Sequence, residues 1–359
     1  MNIAIIGANS AVGTELSVLL DRRGHDVLPV VRNRLAASFL RQFEFDVELA
    51  DFSDPDPKTS VLDTADVVVV AARAGDDNLR VRSRTNRRLI TNAVRATPRD
   101  GAVVFFSSIS ALGRELHGSQ MDTVPGIRNY IYEKREAEGT FRDECDRLGK
   151  SGYTFRLGHV FGANQERTRD IGRTGKTTDP LAVTVDPNAP SNVVSTATVA
   201  ESIVACGRHT AEPGRYTVVN DPQWSWDHVL RCYVAPGTTI RYFEPDTAES
   251  SGRLRQVIDV GWSLLERIGG DRLYPLRVRL PERIESYALA KGKREYVGTQ
   301  IADLRQGRER DLHLSIFEHD PVRPESVTDT PSMAEIVGEE REMADAFDFP
   351  GVAPSPPDR

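Results

Sequence analysis

A short branched apolar run, Ile3 to Ile6, breaks at Gly7 into the turn Ala8-Asn9-Ser10-Ala11-Val12-Gly13, and Thr14 to Leu20 then resumes with helical apolar spacing. The run suits a strand buried on both faces. Strand, glycine turn and helix in that order make a phosphate cradle. Gly7 permits the tight turn, and the small residues in the middle let the backbone of Asn9, Ser10, Ala11 and Val12 approach a pyrophosphate. Gly13 lets the helix pack closely on the strand. The stretch therefore predicts a bound dinucleotide.

The chain continues in the same rhythm. Val27 to Val31, Phe45 to Leu49, Ala65 to Ala72, Ala102 to Phe106 and Tyr153 to Leu157 read as strands, with helices at Asn86 to Val94 and about Tyr130 to Leu148 between them. Strands alternating with helices predict an α/β fold, a doubly wound parallel Rossmann sheet. Past Gly162 the texture changes. Residues 163–190 are polar and loop-like, followed by a helix (Thr198 to Cys206), a strand (Arg215 to Val219) and a helix capped by Ser225. Later segments are shorter and mixed: helices near Leu254 to Ile268 and Glu282 to Lys291, and a strand at Leu276 to Leu280. Ser332 and Glu335 form a capping box for a last helix to about Ala346. The expected organisation is a dinucleotide-binding domain over 1–162, completed by about 191–220. A smaller mixed α+β substrate part covers 163–190 and 221–346, and 347–359 is a proline-rich tail expected to be disordered.

Composition narrows the function. The formal net charge is −7 with both signs interspersed, and no basic block offers a footprint for nucleic acid. No apolar run reaches the length of a membrane span, and no charged leader precedes the first strand. Cys145, Cys206 and Cys232 are odd in number and widely spaced, which suits buried thiols rather than disulfides. The seven histidines show no metal-ligand spacing. A cytoplasmic, metal-free protein is expected.

The strongest chemical signal is Tyr130-Ile131-Tyr132-Glu133-Lys134. A tyrosine and a lysine four apart share one helix face. A nearby ammonium favours the phenolate and lowers the phenol's pKa, which suits proton exchange with a carbinol while hydride passes to or from a nicotinamide. Ser108 closes the strand Ala102 to Phe106, at the end where such sheets place ligands, and its hydroxyl can hold the reacting oxygen. A second Tyr-x-x-x-Lys, Tyr287 to Lys291, follows no strand ending in serines and reads as a solvated helix face. Trp224 and Trp226 read as packing residues.

These residues give the chain a resemblance to the NAD(P)-dependent epimerase/dehydratase family, the extended short-chain dehydrogenases/reductases. The turn Gly7 to Gly13, the strand end Phe106-Ser107-Ser108, and Tyr130, Lys134, Ala137 and Glu138 match its pattern. Arg156 with Val160-Phe161-Gly162, and Val193-Val194-Ser195 through Val199-Ala200, are also similar. The similarity covers roughly residues 1–235. It implies Ser108, Tyr130 and Lys134 as the catalytic set, Lys134 also holding the nicotinamide ribose. Asp51 and Phe52 fall at the adenine, Asn86 matches a helix asparagine, and Ala71, Ala72, Arg73, His159 and Val160 border the cofactor. It further implies a small-molecule substrate, such as a nucleotide sugar, and a homodimer paired through the helices after residues 75 and 130.

The chain also departs from the family. Ser10 and Ala11 stand where a middle glycine is usual, and Leu157 replaces a proline. Ile109 and Ser110 follow Ser108 where dehydratases carry an acid, which favours redox or epimerase chemistry over elimination. Arg32, at the end of the second strand, suits a 2′-phosphate and so NADP over NAD. Two other readings stay open on sequence alone: a non-catalytic dinucleotide-binding redox sensor, and a reductase of a non-sugar carbonyl.

Overall fold

The alternation of apolar residues sorts the sheet into two faces. In the computed structural model, which describes residues 1–75, 78–117, 127–165, 168–169, 171–172, 180–234, 237–243, 314–315, 323–325, 327–328 and 330–347, the chain opens with β1 (Asn2–Ile6), α1 (Ala11–Arg22), β2 (Asp26–Val31) and β3 (Glu48–Leu49). Then come β4 (Val67–Val70), α2 (Leu79–Ala96), β5 (Ala102–Ser108), α3 (Ile127–Leu148) and β6 (Ser151–Leu157). Ile3 and Ile5 pack with Leu16, Leu19 and Leu20 of α1, whereas Ala4 and Ile6 pack with Leu89, Ile90 and Phe141 on the opposite face. Val67–Val70 is wholly buried because helices cover both of its sides.

β7 (His159–Phe161), β8 (Leu181–Thr184), β9 (Val193–Ser195), α4 (Thr196–Gly207), β10 (Gly214–Val218) and α5 (Trp226–Tyr233) follow. The main sheet has seven strands in the order β10-β6-β5-β4-β1-β2-β3, every pair parallel. The order reverses between β1 and β4. Such a switch opens a crevice at the carboxyl ends of the two strands, with the Gly7 turn on one side and Ala71 to Arg73 on the other. β7 pairs with β9, and β8 is flanked by β11 (Ile240–Phe243) and β12 (Leu314–Ser315).

The elements differ from the sequence reading where local pattern and tertiary context disagree. β3 has two residues instead of five, because this edge strand pairs only with Val30 and Val31. α2 begins at Leu79, with Asn78 as its cap, seven residues before the Asn86 start that its apolar pattern predicts. Residues 163–190 are not all loop: Leu181 and Val183 are fully buried in β8. Phe347 is no part of a free tail, since its ring packs on those of Phe39 and Phe43. The helices expected at 254–268 and 282–291, the strand at 276–280, the second Tyr-x-x-x-Lys and the tail after 347 lie outside the described residues. Cys145, Cys206 and Cys232 are buried thiols outside any disulfide among the described residues, and Trp224 and Trp226 pack inside as expected.

α6 (Met333–Ala346) starts at the foreseen capping box, with Ser332 Oγ and Glu335 Oε2 2.6 Å apart. Its buried Ile336, Val337 and Met343 join the core on the α1 side. Arg23, which caps the end of α1, clamps it there, donating from Nε and Nη2 to Glu339 at 2.7 Å each. Among the described residues, no helix is long and apolar enough to cross a membrane.

Candidate active site

The cradle is built by two glycines and a cap. Gly7 has φ +84°, and a Cβ there would lie 2.6 Å from the backbone of Ala72. A Cβ at Gly13 would lie 2.7 Å from the Gly7 carbonyl oxygen. Only glycine lets turn, strand and helix approach this closely. Ser10 caps α1: its Oγ accepts from the Gly13 N–H at 3.0 Å, so the helix begins at Ala11. This use of its lone pair leaves the Ser10 O–H as the group able to meet a phosphate. Among the described residues, no acceptor takes the N–H of Ala11 or Val12, and Asn9 is exposed beside them. Unclaimed N–H groups at the positive end of a helix dipole suit a pyrophosphate.

The adenine end is less open than the sequence implied. Phe52 is 1 % exposed and belongs to the core beneath α2, so its ring is not available to stack on a base. Only its backbone remains for that role, and its carbonyl already accepts from Asn92 Nδ2 at 2.9 Å. Asp51 is half-buried and its Oδ1 takes the N–H and hydroxyl of Ser53. At the end of β2, Arg32 and Arg34 are exposed on either side of Asn33, which caps a short turn of helix.

Ser108, Tyr130 and Lys134 come together. Ser108 ends β5 close enough to Tyr130 for its hydroxyl to favour the phenolate. Its Oγ also accepts from the Ser110 N–H at 3.2 Å. Lys134 Nζ lies 5.8 Å from the centre of the Tyr130 ring and donates to the Phe106 carbonyl at 3.2 Å. The electrostatics differ from the sequence expectation. Burial pushes the Tyr130 phenol above its ordinary value, and the Ser108 hydroxyl and the Arg73 charge only partly offset it. Burial, aided by the charge of Arg73, brings the Lys134 ammonium down to about 8. The lysine is therefore not what dominates the phenol in this site. Desolvation outweighs it.

The sequence reading missed what surrounds this pair. Glu133, 3 % exposed, accepts from Arg73 Nε at 2.8 Å and Nη2 at 3.2 Å, from Arg82 Nε at 2.7 Å and from Asn86 Nδ2 at 3.2 Å. Asn86 Oδ1 in turn accepts from the Ala74 N–H at 2.7 Å. The loop leaving β4 is thus tied to α2 and α3. The Arg73 guanidinium, held by Glu133, stands 5.1 Å from the centre of the Tyr130 ring. Glu133 stands three residues after Tyr130 and so on its face, which was the available signal. His159 on β7 and the Trp226 ring of α5 are 6.0 Å apart, and Val160 beside it is half-buried.

A second missed carboxylate fixes the loop that follows β7. Glu15 of α1 is fully buried and accepts from the N–H groups of Ala163 and Asn164, from Gln165 Nε2 and from Thr196 Oγ1. Burial still raises its pKa against those four bonds.

A seven-stranded parallel sheet with a glycine cradle at its switch point and a Ser-Tyr-Lys cluster at the end of β5 is a Rossmann-like fold of the dinucleotide-binding kind. Residues 3–177 match the NAD dependent epimerase/dehydratase family. No curated protein matches the sequence. Among solved structures, the chain is similar to UDP-N-acetylglucosamine 4-epimerase from Bacillus cereus, with 13 % identity, 72 % of this chain and 93 % of that one covered, and a TM-score of 0.51. It is similar to UDP-glucuronic acid 4-epimerase from Bacillus cereus, solved with NAD, at 15 % identity, 68 % and 88 % coverage and a TM-score of 0.50. A third is UDP-N-acetylglucosamine 4-epimerase from Methanobrevibacter ruminantium, at 12 % identity, 69 % and 86 % coverage and a TM-score of 0.50. At these identities the likeness is one of fold.

Proposed function

We propose that the protein is an NAD(P)-dependent epimerase or oxidoreductase acting on a hydroxyl or keto carbon of a nucleotide sugar. The observation that carries this reading is the convergence of Ser108, Tyr130 and Lys134 at the end of β5, with Lys134 Nζ 5.8 Å from the Tyr130 ring centre. A nicotinamide, when bound, supplies the hydride acceptor and donor. Gly7, Asn9, Ser10, Ala11, Val12 and Gly13 hold the pyrophosphate, Ala71, Ala72, His159 and Val160 line the crevice, and Asp51 with the Phe52 backbone borders the adenine. Ser108 fixes the reacting oxygen. Tyr130 takes the carbinol proton and returns it to the carbonyl, and Lys134 holds the ribose. Ile109 and Ser110 place no acid after Ser108, which disfavours elimination. Arg32 and Arg34 favour NADP, since two exposed guanidinium groups suit a 2′-phosphate. The substrate part is proposed over 163–190 and 221–346.

The test uses the full chain with NAD or NADP and a panel of UDP-glucose, UDP-N-acetylglucosamine and UDP-glucuronic acid. Interconversion or cofactor reduction is expected with one of them, reduced by about 10² or more in Tyr130→Phe. A Tyr130→Phe protein with full turnover overturns the assignment. Tighter binding of NAD than NADP, unchanged in Arg32→Ala, overturns the NADP preference alone.

A further inference from the structure

Tyr130 is faced by four polar groups from three parts of the fold: Ser108 from β5, Glu133 and Lys134 from α3, and Arg73 from the loop after β4. Of the two cations, the Arg73 guanidinium is the closer, 5.1 Å from the ring centre against 5.8 Å for Lys134 Nζ. Its position is imposed, because Nε and Nη2 both bind Glu133 while Cζ stands over the phenol ring. Glu133 opposes it only in part: its charge raises the Tyr130 pKa by less than Arg73 lowers it, and the carboxylate is shared with Arg82 and Asn86. Lys134, by contrast, is engaged by the Phe106 carbonyl.

The chemistry of the two cations also differs. A guanidinium stays protonated throughout the working pH range, and it stacks on aromatic faces. Glu133 reinforces this by raising the Arg73 pKa further, whereas burial brings Lys134 down to about 8. A lysine half-neutralised near that pH is a poor permanent counter-charge for a phenolate.

We propose that Arg73, fixed by Glu133, is the positioning residue whose charge stabilises the Tyr130 phenolate, which leaves Lys134 to its ribose contact. This rests on Tyr130 being the acid–base of the proposed reaction. Arg73 acts through Tyr130 and exchanges no proton itself.

The test titrates Tyr130 directly in the full chain. Rapid pH jumps, read in the near-ultraviolet phenolate band before alkaline unfolding, give its midpoint after subtraction of the Tyr130→Phe protein. Removing the charge in Arg73→Gln is expected to raise the midpoint by about one unit. Arg73→Lys, which keeps the charge, is expected to recover most of that shift. Where Arg73→Gln does not fold, Arg73→Met serves in its place. With the UDP-sugar that reacts, the acidic limb of kcat in Arg73→Gln moves to higher pH by the same interval, with kcat near neutrality lower by roughly tenfold. An unchanged midpoint in the charge-removed variant overturns the inference while leaving the proposed function intact. Full turnover by Tyr130→Phe overturns the proposed function, and the titration still reads whether Arg73 governs that phenol.

Discussion

Arg156 of β6 donates from Nε and Nη2 to the two carboxylate oxygens of Glu138 on α3, at 2.9 and 2.7 Å, and both side chains are buried. Ser107 donates to the same carboxylate at 2.6 Å. The fork therefore fastens α3 to the ends of β5 and β6, one helical turn beyond Lys134. Removing one partner leaves the other charge buried and uncompensated. Glu138→Ala is expected to lower stability by roughly 3–5 kcal/mol, as breaking a buried pair does. Urea unfolding measures it, and a loss under about 1 kcal/mol would mean that the pair is solvated like a surface bridge.

Gly7 tests the cradle by itself. Its φ of +84° is strained for any residue with a Cβ, and the added carbon would meet Ala72 at 2.6 Å. Gly7→Ala must push β1 and the β4 loop apart, which costs about 1–3 kcal/mol. The same movement misplaces the N–H groups of the α1 start. NADH fluorescence titration is expected to show affinity at least roughly tenfold weaker, alongside a lower melting temperature. Equal affinity in a protein that melts earlier would place the pyrophosphate elsewhere.

How much of this was legible depends on where each signal lay. β4 and β5 are apolar runs, and the Ser10 cap, the Ser225 cap and the Ser332–Glu335 box are local patterns, so each could be read from a few neighbouring letters. The front half of α2 was hidden because its buried positions include Ser83 and Asn86. Those polar residues are buried only because Glu136 and Glu133 of α3 meet them. β8 was hidden for the opposite reason: its burial comes from β11 and β12, strands distant in sequence. The catalytic spacing of Tyr130 and Lys134 was visible, but the balance of charge around it was not. Arg73 reaches Glu133 across 60 positions, and desolvation of the phenol has no sequence signature.

Lys134 gives the site a pH dependence of definite sign. Its ammonium, brought down to about 8, is charged below that pH and neutral above it. A charged lysine hydrogen-bonding a cofactor ribose binds more strongly than a neutral amine. NADH affinity is thus expected to fall as pH rises through about 8, and the fall should be absent in Lys134→Arg, whose charge persists. Fluorescence titrations from neutral to mildly alkaline pH decide it. An affinity that is flat across this window in the unaltered protein would remove Lys134 from the ribose contact.

The docked helix α6 carries a second pH-sensitive feature. Glu340 is 2 % exposed, takes the Tyr233 hydroxyl at 2.8 Å, and has a second oxygen with no hydrogen-bond partner among the described residues. Burial, then the nearby charge of Glu15, pushes its carboxyl from 4.5 up to about 8. The folded protein thus keeps a proton that the unfolded chain releases. Its stability contribution is fully present below about 4.5 and is lost progressively as pH rises to about 8. That interval sets an upper bound on the order of 5 kcal/mol. Glu340→Gln stays neutral and can still accept from Tyr233, so its stability should decline less between those limits. Chemical unfolding of both proteins at intervals from pH 5 to pH 8 provides the comparison, because other titrating groups cancel in the difference. Parallel curves would show that Glu340 is already ionised in the folded state, with water or a cation reaching its free oxygen.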